Sequence, residues 1–251
     1  MAGPFLTAEP WMLVAGVMLF AGMVQGLAGF GSALVAIPLM ALFLDMATAV
    51  PLMAFTAALM AVINAIHLRR AVRWRPLLPL LGGYLIGTPL GLYFLVFAPE
   101  ALVLGLLGVL LSVYAATALA GRVPDYRWIR EQAVALGTVS GALGAAFSTN
   151  GPPIILHVSS QDWPADVKKA VLSMFFVTSS IITVGAFIAG GLISATTVQL
   201  ALRAIPALIV GTLLGIAVYR RMSVKGYQRI TFGLVLVMGL MMTVRAGLTA
   251  F

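Results

Sequence analysis

The chain has no cysteine, only two histidines and only seven acidic residues in 251. Without thiols there is no disulfide framework, no thiolate metal site and no persulfide relay, so any sulfur chemistry would belong to a substrate. Two histidines and no cysteine leave a metal centre thinly supplied. Intramembrane hydrolysis would need paired membrane aspartates, or a serine with a His or Lys partner. Asp45 and Asp162 instead stand at expected span ends on opposite faces. The expectation is a protein that is not an enzyme, with no catalytic residue, no metal and no cofactor. Charge is scarce as well, at 9% of residues against roughly 25% in soluble domains.

What fills the chain is apolar residues, 62% of the total, which implies an all-α polytopic membrane protein with the lipid bilayer as its surroundings. The net charge of +8 is explained by the gathering of basic residues in cytoplasmic loops. No aromatic-basic module accompanies it, so nucleic acid is not an expected partner. Residues 1–10 carry Glu9 and no Lys or Arg, and so lack the basic start of a secretory signal.

Residues 10–44 are almost unbroken apolar sequence, too long for one span of ~20 residues. A Gly-rich cluster, Gly26 to Ser32, interrupts them near the middle, with Pro38 beyond it. Residues 133–160 form a second overlong element, interrupted by Ser148-Thr149-Asn150-Gly151-Pro152-Pro153. Each reads as a broken helical hairpin that either crosses twice or re-enters on its own side. Three spans are expected after each hairpin, at 46–68, 77–97 and 102–120 in a first repeat (1–121), and at 170–190, 198–219 and 230–249 in a second (122–251).

Subtraction supports the duplication. Gly26, Gly29 and Pro38 are matched 115 positions later by Gly141, Gly144 and Pro153, and Gly87-Thr88-Pro89-Leu90-Gly91 is matched 124 positions later by Gly211-Thr212-Leu213-Leu214-Gly215. Of the fifteen Lys and Arg, all but Arg203 and Arg245 fall in clusters at 69–75, 122–130, 168–169 and 220–229. All four clusters lie on the cytoplasmic side only if each hairpin makes an even number of crossings. The two halves then form an inverted repeat with both termini extracytoplasmic. Inverted repeats with broken helices meeting near the midplane are the arrangement of secondary transporters that work by alternating access.

The expected spans hold no clearly buried acid, so the breaks favour an anion, through helix N-termini and neutral donors. Candidate substrate contacts are Gln25, Gly29, Gly31, Ser32, Ser148, Thr149, Asn150 and Gly151, with Thr178 in a following span. Close helix packing explains Gly26 and Gly29 equally well. His157, one turn past the second break, is the candidate for proton coupling, although a structural role accounts for it more readily. Na⁺ coupling through carbonyl and hydroxyl oxygens is the other option. The expected ligand is a small oxyanion or organic acid. An anion channel or a membrane subunit of a larger complex is the alternative, and the glycine-rich faces would permit a homodimer.

Gly26-x-x-Gly29-x-Gly31 with Pro38, then Gly141-x-x-Gly144 leading to Asn150-Gly151-Pro152-Pro153 and Gln161-Asp162-Trp163-Pro164, resembles the duplicated signature of the TauE/SafE family of sulfite exporters. The likeness runs over nearly the whole chain. It implies a carrier of the bacterial cytoplasmic (inner) membrane for sulfite, a sulfonate such as sulfoacetate, or a related organic acid, driven by the proton motive force. The functional elements it implies are the breaks at 26–32 and 148–153. Phe30-Gly31-Ser32 departs from the family's commoner triple glycine, and Ala145 and Ala146 stand where glycines are frequent.

Overall fold

A computed structural model describes residues 10–28, 31–65, 74–120, 129–219 and 224–249. The described residues contain no strand. Their helices are α1 Pro10–Ala28, α2 Ser32–Met40, α3 Met46–Ala65, α4 Trp74–Phe97, α5 Glu100–Leu119, α6 Ala133–Phe147, α7 Gly151–Ser160, α8 Ala165–Ala189, α9 Ala195–Tyr219 and α10 Val224–Thr249, with a 3₁₀ turn at Ile129–Glu131. A chain this apolar has no water to satisfy its backbone within the bilayer, so it closes its hydrogen bonds inside helices. Five stretches, within α4, α5, α8, α9 and α10, are long and apolar enough to cross a membrane. Their outer faces present Leu85, Tyr93, Val113, Ile181, Leu213 and Val244, all more than half exposed and suited to lipid. This is a multi-pass membrane protein.

Both overlong elements resolve into a helix followed by a much shorter one. At 1.5 Å per residue, the nine residues of α2 reach about 13 Å and the ten of α7 about 15 Å, half or less of a ~30 Å hydrocarbon core. The start of α2 is set by Gly31, whose φ of 94° is a left-handed conformation open to glycine at little cost. The corresponding turn after α6 is made by Ser148 at φ 50°, the one non-glycine residue with positive φ among those described. Three contacts hold it there. The Ser148 N–H donates to Gly144 O at 2.9 Å, the Thr149 N–H to Leu143 O at 3.3 Å, and the Ser148 hydroxyl to Val50 O on α3 at 2.8 Å. Asp45 begins α3 by accepting from the Thr48 N–H at 2.7 Å and the Thr48 hydroxyl at 3.0 Å, as an N-terminal capping carboxylate does.

Three helix pairs make the most extensive contacts, and small residues allow each of them. α1 lies along α9, α4 along α6, and α5 along α10. A Cβ on Gly26 would stand 3.0 Å from Gly215 Cα, and one on Gly87 would stand 2.8 Å from Ala142 N, so backbone meets backbone. α3 packs on α8, and the apolar core runs between these pairs through Met18, Ile37, Leu52, Leu107 and Phe187. A second core, with Tyr84, Ile154, Val158 and Phe175, joins α4, α7 and α8.

The outer ends of the two short helices each receive a cation. Arg245 of α10 donates to Ala41 O at the end of α2, and the Lys168 ammonium of α8 donates to Ser159 O in the last turn of α7 at 3.0 Å. Both favour the negative end of the helix dipole. Lys168 and Lys169 lie inside α8, which starts at Ala165 immediately after Trp163-Pro164. The basic residues Arg69, Arg70, Arg73, Arg122, Arg127, Arg220 and Arg221 lie outside the described residues, as do both termini.

A cavity between two broken helices

The N-termini of α2 and α7 line one cavity of about 160 Å³. Its walls include Gln25 of α1, Gly31, Ser32, Ala33 and Leu34 at the start of α2, and Ala57 of α3. The other side is formed by Ser148 to Pro152 at the second break and by Ser173, Phe176 and Ser180 of α8. Seven of the nine substrate positions expected from sequence therefore stand round one space: Gln25, Gly31, Ser32, Ser148, Thr149, Asn150 and Gly151. Gly29 lies outside the described residues.

Thr178 is on α8 but not on the wall. Ser173, Phe176 and Ser180 follow at intervals of three and four, which makes one helix face, and Thr178 falls off that face at 100° per residue. Its hydroxyl instead donates to Met174 O one turn earlier, at 3.0 Å. The serines of that face are the wall residues missed from sequence. The i, i+3, i+7 spacing of Ser173, Phe176 and Ser180 was the available signal, hidden because hydroxyls are common glue between membrane helices.

The polar side chains divide into those already bonded and those aimed into space. Asn150 donates from Nδ2 to Ser179 Oγ at 2.9 Å, and its carbonyl accepts from Ser140 Oγ at 2.6 Å, which ties the second break to α8 and α6. Thr149 donates to Phe147 O at 3.0 Å. Ser32 differs. Only 6% of it is exposed, it lines the cavity, and its hydroxyl, like the side chains of Gln25, Ser173 and Ser180, has no hydrogen-bond partner among the described residues. A smaller pocket of about 30 Å³ lies behind, sharing Ala57, Ser148, Asn150 and Ser180 and closed by Tyr84, Gly144 and Thr183. There the Tyr84 hydroxyl and Thr183 Oγ1 lie 2.6 Å apart and share a hydrogen bond.

His157 is not on the cavity wall. Its Nδ1 is 3.0 Å from Ile129 O and its Nε2 is 3.3 Å from Gln161 Nε2, within a clasp that also includes the bidentate Arg130–Asp162 ion pair. Among the described residues no group of three or more His, Cys, Asp and Glu side chains is placed to hold a metal.

An all-helical, multi-pass protein with an uncharged polar cavity between the facing ends of two half-length helices belongs, by architecture, with membrane proteins that pass small solutes. Its family is clear from the sequence itself: residues 14–242 match the model described as Sulfite exporter TauE/SafE, and the chain belongs to that family, whose members are exporters and not enzymes. It is 32% identical over 104 residues to a "Probable sulfite/organosulfonate exporter TauE" of Cupriavidus necator. That likeness covers 41% of this chain and 40% of the relative's length. No solved structure matches the chain.

Proposed function

We propose that this protein is a secondary active carrier that exports small anions, sulfite or organosulfonates, by alternating access around the cavity between α2 and α7. The observation that carries this reading is the convergence of both helix breaks on one buried, polar space. Seven positions that lie far apart in sequence line it, in a chain whose family is that of sulfite exporters. Gln25, Gly31, Ser32, Ser148, Thr149, Asn150 and Gly151 are the proposed substrate contacts, with Ser173 and Ser180 added from α8.

The two halves are read as an inverted repeat in which α1 to α5 correspond to α6 to α10. Their packing is consistent with that exchange, since α1 on α9 becomes α6 on α4, while α5 on α10 and α3 on α8 map onto themselves. Each half thus clasps the other's long helix, and rocking one half against the other would open the shared cavity to one side at a time. Proton coupling needs no protein side chain if the substrate carries the proton, which leaves His157 a structural place in its clasp. The family suggests residence in the bacterial inner membrane, and the same repeat with the positive-inside rule would put both termini on the extracytoplasmic side.

The test is counterflow of radiolabelled sulfite in proteoliposomes of the purified protein. Saturable counterflow that sulfonates compete for is expected, and Asn150→Ala should abolish it without lowering membrane abundance. Flux without saturation or counterflow would make the protein a channel. No flux with sulfite or any sulfonate would reduce it to a subunit role and overturn the proposal.

A further inference from the structure

Resting on that reading of the cavity, we infer that it selects a singly charged oxyanion, seated on the first turn of α2 and met from across the space by the neutral donors of the second break and of α8. The two helix N-termini face the same space but differ in what they can donate. The first three N–H groups of α2, those of Ser32, Ala33 and Leu34, have no intrahelical acceptor, and all three residues line the cavity. Beside them stands Ser32, a residue only 6% exposed, whose hydroxyl is bonded to none of the described residues and is accessible from the cavity. Gly31, left-handed and without a side chain, leaves the approach to these donors open. In α7 the same positions are Gly151, Pro152 and Pro153, and proline has no N–H to give. One amide of that turn remains, flanked by the Pro152 ring and Phe176, with the hydroxyls of Ser173 and Ser180 beside it on α8, while Asn150 and Thr149 are each bonded once to protein.

Charge number follows from what surrounds the donors. No Lys, Arg, His, Asp or Glu is among the described residues of the wall, on α1, α2, α3, α7 or α8. Tyr84, behind the cavity, is bonded to Thr183, while His157 of α7 is held at Ile129 O and Asp45, before α3, at Thr48. The ligand's charge is met only by the dipoles of α2, whose far end is held by Arg245, and of α7, and by neutral donors. The cost of desolvating an ion grows with the square of its charge, while the attraction of a fixed dipole grows only linearly. A second charge would therefore lose far more hydration than this wall returns. Hydrogensulfite and simple alkanesulfonates suit the site, and sulfate and the sulfite dianion do not.

The experiment is equilibrium binding to the purified protein across a pH series, with methanesulfonate, sulfite and sulfate as probes. Methanesulfonate stays singly charged throughout, so its affinity should be flat with pH. Sulfite loses its remaining proton near neutrality, and each further pH unit should weaken its apparent affinity about tenfold. Sulfate should fail to compete at any pH. Ser32→Ala should weaken methanesulfonate about tenfold or more by removing a hydrogen bond to a charged ligand. Pro152→Ala, which returns an N–H to the α7 side, should shift selectivity towards sulfate. Sulfite bound equally well above and below its own titration, or sulfate competing with methanesulfonate, would overturn the inference while leaving a carrier intact. Absence of binding by both sulfite and methanesulfonate would instead overturn the functional reading beneath it.

Discussion

The closeness of α4 and α6 makes a prediction with an internal control on a single helix. A methyl group at Gly87 would stand 2.8 Å from both Ala142 N and the carbonyl carbon of Thr138, and still closer to Thr138 O. These are backbone atoms of α6, so no rotamer change relieves the overlap and the two helices must separate. Overpacking of this kind costs about 1–3 kcal/mol. Gly82, five residues earlier on α4, has nothing within 4 Å of where its Cβ would be. There the same change should be neutral or favourable, since alanine exceeds glycine in helix propensity by up to about 1 kcal/mol. In detergent, the apparent melting temperature of Gly87→Ala should fall by roughly 3–10 °C, taking about 3 °C per kcal/mol for a chain of this size. Gly82→Ala should not fall. Equal stability of the two variants would refute the claim that α4 and α6 meet backbone to backbone.

Other expectations follow from individual contacts. Tyr84→Phe removes a buried hydroxyl and strands Thr183, which should lower stability by about 1–3 kcal/mol in a thermal unfolding assay. Arg245→Met uncovers the carbonyl end of α2, so methanesulfonate affinity should drop a few-fold in the binding assay through the weakened helix dipole. Asp162→Asn breaks an ion pair whose partners are 81% and 41% exposed, so stability should change by less than about 1 kcal/mol and the difference should vanish in high salt.

The breaks were legible in the sequence because few residues can make them. Asn150-Gly151-Pro152-Pro153 stops a helix wherever it occurs, and the structure starts the short helix α7 there. The site residues on either side followed from the same reasoning, since helix ends carry the free donors. Helix starts were harder to read. α8 begins at Ala165 and not near 170, because hydropathy ends where charge appears, whereas the helix continues through Lys168 and Lys169 at its polar end. Pro51, Pro79, Pro89 and Pro206 also sit within helices, so proline alone did not mark a break.

What pattern alone could not supply was partnership. Asn150 and Ser32 looked equivalent as polar residues at helix breaks, yet the side chain of one is bonded to Ser179 and that of the other to none of the described residues. The reason lies in α8, whose Ser179 comes from 29 residues away and has no trace in the local sequence. Arg245 stands near a span end, where long basic side chains commonly reach for the interface. It turns inward instead and holds the end of α2, a contact across 204 residues.

The absence of cysteine makes the central claim directly testable, because one introduced thiol is the only one present. Ser173→Cys places it on the cavity wall, and a small neutral maleimide can be applied to proteoliposomes during sulfite counterflow. The account predicts that labelling stops counterflow, that saturating methanesulfonate protects the thiol, and that reagent reaches it from either side of the membrane. Full transport after complete labelling would show that the substrate does not pass through this cavity.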